Sequence, residues 1–298
     1  MTTNKIITLL PKVNVSFSGC GFLGVYHAGS YACLKEYQDK SLQLVQNTEQ
    51  MQGTKSKNKT NKDGGMSTDF TPHFAIDKAL GASAGALVAA SLLIDYPPET
   101  LKNKILELTE ITKSMYFGPF NPRFDVNKII RDILTEALPK DANILLSNRL
   151  YISITGTYLN NLVVSQFSSN EEVIEALICS CYLPAFSSYQ IPKYKGESYI
   201  DGGFSNNLPI IDEKTTVRIT PFSGTGHICP DDGTPPEKMW LREMAGETVE
   251  ISAMNIKRFK EALYPPKDLE LLYSVGYQHT KEFIRSGKIG NFFMQAEN

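Results

Sequence analysis

Three short stretches carry residues whose types and spacing could do chemistry. In Gly81-Ala82-Ser83-Ala84-Gly85 a serine sits between small residues, the G-x-S-x-G spacing of a nucleophile elbow. A serine on a sharp strand-to-helix turn needs such neighbours, because the chain reverses too tightly for side chains beside it. The following helix would aim free N–H groups and the positive end of its dipole at charge developing near the hydroxyl. Close packing of a helix on a sheet also selects Gly, Ala and Ser, so this motif alone leaves both readings open.

The second stretch is Ser18-Gly19-Cys20-Gly21-Phe22-Leu23-Gly24. Converging backbone N–H groups in a glycine loop before a helix cradle an anion. The spacing Gly19-x-Gly21-x-x-Gly24 is also the dinucleotide fingerprint, which requires a second strand ending in an acidic residue about 20 positions on. Here Glu36-Tyr37-Gln38-Asp39-Lys40 reads as helix end followed by polar chain, which favours an oxyanion over a pyrophosphate. The third stretch is Asp201-Gly202-Gly203, an acid at a strand end with two glycines behind it. It reads as a base in company with Ser83, and as a hairpin turn without it.

The elements needed to position these groups are visible around them. Residues 13–17 alternate Val, Val and Phe with polar residues and predict a first strand, and a helix is expected over about 25–37. Residues 74–80 predict the strand entering the elbow, and 86–93 the buried helix leaving it. Leu101, Ile105, Leu108 and Ile111 recur at helical spacing, as do Ile130, Ile133, Leu134 and Leu138, and both stripes read as core-facing. Between them Phe117-Gly118-Pro119-Phe120 reads as a rigid, packed loop. Paired strands are expected over 150–158 and 162–167, then a helix opened by the capping box Ser169-Asn170-Glu171-Glu172. A short strand over 197–200 delivers Asp201, another covers 217–222, and helices over about 248–263 and 268–285 close the chain. Residues 46–70, rich in Lys, Asn and Gln, read as a mobile surface insertion.

Composition narrows the function classes. With 298 residues, 42% apolar and 21% charged, the chain suits one sizeable α/β domain over about 12–287, with tails at 1–11 and 288–298. A net charge of −2 offers no footprint for nucleic acid. No apolar run reaches the ~18 residues of a spanning helix, and the first residues have too short an apolar core for a secretory signal. The expectation is an intracellular, cytoplasmic protein. Five cysteines without a CxxC pair and four scattered histidines show no metal-ligand spacing, so neither metal nor cofactor is expected.

Taken together, the three motifs closely resemble those of the patatin-like phospholipases, nearest the animal-type branch that includes adipose triglyceride lipase and its shorter relatives. Pro221-Phe222-Ser223-Gly224, Ile228-Cys229-Pro230 and Ala262-Leu263-Tyr264-Pro265-Pro266 add to the likeness, which spans about residues 12–287. The resemblance implies a three-layer α/β domain with a largely parallel sheet, and a Ser–Asp dyad without histidine. Carried over, Ser83 is the nucleophile and Asp201 the base. Backbone N–H groups of Gly19, Cys20, Gly21 and Gly24 form the oxyanion hole, and Gly81, Gly85, Gly202 and Gly203 shape the turns. The implied activity is acyl-ester hydrolysis or acyl transfer on triacylglycerol, retinyl ester or phospholipid, at a membrane or lipid-droplet surface. Residues 46–70 depart from this pattern. Other readings are a Ser-His-Asp esterase using His227 or His279, a nucleotide-binding oxidoreductase, and a non-catalytic lipid-binding or regulatory protein.

Overall fold

The glycine loop, the elbow and Asp201 all hang from one sheet. The computed structural model describes residues 10–54, 72–121, 124–184, 186, 188 and 190–294. Strand β1 (Lys12–Phe17) buries Val13, Val15 and Phe17 on one face, yet Asn14 and Ser16 on the other are buried too. Its alternation therefore does not mark a wet face. Asn14 Nδ2 donates to Thr215 Oγ1 at 3.1 Å and Ser16 Oγ to the Pro209 carbonyl at 2.6 Å, while Asn14 Oδ1 is buried without a partner among the described residues.

Helix α1 (Gly24–Thr54) begins where expected but runs far beyond Tyr37. Residues 46–54 of the expected insertion thus continue this helix, while 55–70 lie outside the described residues. Next come β2 (Ala75–Ala82), α2 (Ala84–Leu93), α3 (Pro98–Ser114), α4 (Val126–Ala137) and α5 (Ala142–Leu146). Strands β3 (Leu150–Thr155) and β4 (Asn161–Val164) form the expected antiparallel pair. Helix α6 (Asn170–Ser180) is capped by Ser169, whose hydroxyl accepts the Glu172 N–H at 3.2 Å. The short strands β5 (Lys193–Tyr194), β6 (Glu197–Ser198) and β7 (Ile200–Asp201) precede β8 (Thr216–Ile219).

The order β4-β3-β2-β1-β8 is parallel from β3 through β8, with β4 antiparallel at one edge. Strand β2 ends with Ala82 opposite Ser153 of β3, and β7 pairs Asp201 with the next residue, Ile154. Because β4 occupies the other side of β3 there, β7 takes the edge that β2 vacates. Residue 201 thereby stands just past the end of the strand that delivers residue 83.

One expectation is overturned. Residues 248–250 belong to a hairpin of β9 (Leu241–Met244) and β10 (Glu247–Glu250), and α7 starts only at Ala253 (Ala253–Leu263), before α8 (Leu269–Arg285). Ala245 and Gly246 both have positive φ (48° and 75°), the two-residue turn that matches strand twist. Val249 and Ile251 lie two apart, the strand period, but this short alternation runs straight into the helical segment that follows, which conceals the boundary.

Candidate active site

Ser83 occupies a strained backbone conformation, φ 52° and ψ −130°, at the junction of β2 and α2. Such geometry costs a non-glycine residue about 1–3 kcal/mol and persists only where the surroundings over-determine it. Here they do. A Cβ on Gly81 would lie 2.4 Å from the Gly85 backbone, and one on Gly85 would lie 2.2 Å from the Phe17 carbonyl. The Ser83 N–H donates to Ser180 Oγ at 2.8 Å, and Ser180 Oγ donates to the Ser153 carbonyl at 2.7 Å. Ser180, at the end of α6 and fully buried, was not legible as a site residue, because nothing in the local sequence pairs it with residue 83.

Asp201 is buried at 4% exposure, its carboxylate accepts the Gly203 N–H at 2.7 Å, and the Ser83 hydroxyl stands beside it. Burial pushes its pKa up to about 6, against the downward pull of the neighbouring Ser83 hydroxyl and of the Gly203 N–H. Thr155 Oγ1 holds the Asp201 carbonyl at 2.7 Å, and Gly202 packs where a Cβ would strike the Ser153 carbonyl at 2.1 Å.

The glycine loop abuts the elbow: a Cβ on Gly19 would sit 3.1 Å from Ser83 Cβ, and one on Gly24 would sit 3.2 Å from Ala84 Cβ. Of the four expected oxyanion donors, two are already engaged. The Gly19 N–H donates to the Asn207 carbonyl at 3.1 Å, and the Gly24 N–H caps the short helical turn by donating to the Gly21 carbonyl. Their glycines serve close approach instead. Among the described residues, the N–H groups of Cys20 and Gly21 meet no acceptor within the chain. Gly21 adopts φ +52°, the left-handed region that favours glycine.

His27 lies beneath the loop, fully buried, with its Nε2–H donating to the Ser18 carbonyl at 2.9 Å. Burial pushes it down to about 4, so it is neutral at physiological pH. His227 accepts the Arg218 N–H on Nδ1 at 3.0 Å and lies against Phe292, while His279 Nδ1 meets the Tyr26 hydroxyl at 2.9 Å. No histidine lines the cavity at Ser83 among the described residues, which removes the structural basis for a Ser-His-Asp triad.

That cavity has a volume of about 740 Å³ and a mainly apolar wall. From Ser83 and Asp201 it passes Leu87 and Ile94 of α2 to the stripes on α3 and α4, where Leu101, Leu108, Ile130 and Leu134 line it. Those stripes, expected to face only the core, also form a cavity wall. The aromatic loop is likewise not packed away. Phe117 is 70% exposed and Phe120 46%, with the Phe120 ring 5.4 Å from Phe186 and 5.5 Å from Tyr264.

Comparison with known proteins agrees with this architecture. The family model described as "Patatin-like phospholipase" matches residues 63–212. Patatin-like phospholipase domain-containing protein 4 of Homo sapiens is 32% identical over 92% of this chain and 97% of its own length. The chain belongs to the patatin-like phospholipases. Its patatin-like relatives include Patatin-like phospholipase domain-containing protein 2 of Rattus norvegicus, 32% identical over 94% of the chain and 52% of the relative. They also include 1-acylglycerol-3-phosphate O-acyltransferase Pnpla3 of Mus musculus, 32% identical over 89% of the chain and 56% of the relative. The chain thus spans about half the length of these last two.

Proposed function

We propose that this patatin-like chain is a lipid acyl hydrolase in which Ser83 is the nucleophile and Asp201 its base. The observation that carries the reading is the Ser83 hydroxyl set beside the buried Asp201 carboxylate at one end of a mainly apolar cavity of about 740 Å³. Asp201 accepts the Ser83 proton as Oγ attacks the ester carbonyl, and the tetrahedral oxyanion is held by the Cys20 and Gly21 N–H groups. Collapse expels the alcohol, which takes the proton from Asp201. Water then attacks the acyl-enzyme with Asp201 again as base, or a second alcohol does so and acyl transfer results. The name of the Mus musculus relative, an acyltransferase, keeps transfer within the reading.

The carboxyls of Asp201 and Glu247 line the catalytic end of the cavity, whereas Lys104, the cation among its described lining residues, stands on α3 with the apolar stripe. Negative charge near Ser83 favours a neutral ester, triacylglycerol or retinyl ester, over an anionic phospholipid. Among the described residues no helix is long and apolar enough to cross a membrane. Phe204, which lines the cavity, and Phe120, which packs on the lining residue Phe186, are exposed together with Phe117 of the same loop, and they suit peripheral contact with a membrane or lipid-droplet surface inside the cell.

Fluorophosphonate labelling read by intact mass and peptide mapping tests the assignment. A single adduct on Ser83, absent from Ser83→Ala and much slower in Asp201→Asn, is expected. An adduct on another serine, or none on the folded protein, would overturn the assignment.

A further inference from the structure

Asn207 makes more of the site than its place six residues after Asp201 suggests. Its backbone carbonyl accepts the Gly19 N–H at 3.1 Å, and its side-chain Nδ2 donates to the Gly19 carbonyl at 3.1 Å. Both faces of Gly19 are therefore clamped by one residue. In a planar trans peptide the N–H points opposite to the C=O. With the Gly19 carbonyl turned onto Asn207, the Cys20 N–H across the same peptide bond must point away from Asn207, and it is one of the two loop donors without an acceptor.

The orientation of the Asn207 amide is itself set. Glu247, buried at 4% exposure, accepts from Asn207 Nδ2 at 2.5 Å with one oxygen and from the Thr220 hydroxyl with the other. A carboxylate offers only acceptors, so it selects the amide rotamer that presents nitrogen to it and to Gly19. The amide oxygen is thereby turned against two glycines, 2.5 Å from where a Cβ on Gly19 would lie and 2.7 Å from one on Gly203. Thr220 extends the network to the start of the loop, because Ser18 Oγ donates to it at 3.1 Å.

We propose that Asn207, with its amide held by Glu247, is the positioning residue that aims the Cys20 N–H at the oxyanion of the substrate ester. The inference rests on the hydrolytic reading of Ser83. It couples the two halves of the chemistry, since the loop that carries the base also sets the direction of the oxyanion donor.

The test compares wild type, Glu247→Gln, Asn207→Ala, and a double variant that combines Asn207→Asp with Glu247→Gln, on a soluble p-nitrophenyl ester. The double variant exchanges the amide and the carboxylate between the two positions. The amide now at position 247 donates to the carboxylate at position 207, so size, net charge and the contact between the two side chains are kept. The donor to the Gly19 carbonyl is lost, and a carboxylate oxygen that can only accept faces that carbonyl in its place. Relative to wild type, its kcat is expected to fall about 10²-fold, the low end of the loss for one oxyanion donor. KM is expected to stay within about twofold, because ground-state binding is untouched. Affinity for a trifluoromethyl ketone, whose hemiketal oxyanion would occupy the same place, weakens in parallel with kcat/KM. Asn207→Ala shows the same pattern against wild type and carries the comparison should the double variant not fold. Turnover by folded Asn207 variants within about threefold of wild type, or a loss confined to KM, overturns the inference. Wild type that neither hydrolyses the ester nor labels at Ser83 overturns the hydrolytic reading instead.

Discussion

The burial of Asp201 predicts that replacing the base makes the protein more stable as it makes it inactive. In the folded state its carboxyl titrates at about 6 rather than at the ordinary 3.8, chiefly because burial disfavours the ionised form. A raised carboxyl pKa means that the folded state holds its proton more tightly than the unfolded state does. This favourable term is fully present below about pH 4 and is lost as pH rises through about 6. At about 1.4 kcal/mol per pH unit, the interval from 3.8 to about 6 corresponds to about 3 kcal/mol against the ionised native state at pH 8. Asp201→Asn removes that charge, while the amide oxygen can still accept from the Gly203 N–H. The variant should therefore unfold about 5 °C above wild type at pH 8, taking about 2 °C per kcal/mol for a chain of this size. The gap should shrink as pH falls through about 6 and close only below about pH 3, where both side chains are neutral in both states. Thermal midpoints of the two proteins across this range, read by circular dichroism, measure it directly. A gap that does not change with pH, or an Asn variant less stable than wild type at pH 8, would refute the reasoning.

Three further outcomes follow from the same geometry. For wild type, kcat/KM should fall about tenfold per pH unit below about pH 6 as Asp201 takes up a proton, and a profile flat through this range would exclude Asp201 as the base. Gly21→Ala brings a Cβ to 2.1 Å from the Ala262 carbonyl at a residue with φ +52°, so the loop must shift; a loss of about 10²–10³ in kcat is expected in steady-state assays. Ile133→Trp narrows the α4 wall of the cavity and should cost a long-chain ester about tenfold in kcat/KM while sparing a butyrate ester, a ratio measured by competition between the two.

The sequence alone determined the parts of this site that depend on neighbours along the chain. Gly81, Gly85 and Gly21 are legible because a tight turn or a close approach admits only a glycine, and that demand is written at the residue itself. The strand-turn-helix order around Ser83 is legible for a similar reason, since a strand and a buried helix have different hydrophobic periods. Tertiary structure decided which of those groups act together. Ser180 meets the Ser83 N–H across 97 residues of chain, and Asn207 meets the Gly19 carbonyl across 188. Neither serine nor asparagine has a local signature for such a partner. The apolar stripes of α3 and α4 could not be told from core packing in the sequence, because a cavity wall and a core both select Leu and Ile at helical spacing. Likewise Gly19 and Gly24 were legible as loop residues but not as engaged donors, since an N–H group finds or lacks an acceptor only once distant segments are in place. Asp201 comes to Ser83 because β7 takes the edge of β3 just past the end of β2, and strand register of this kind is set by pairing across the sheet rather than by any one stretch of sequence.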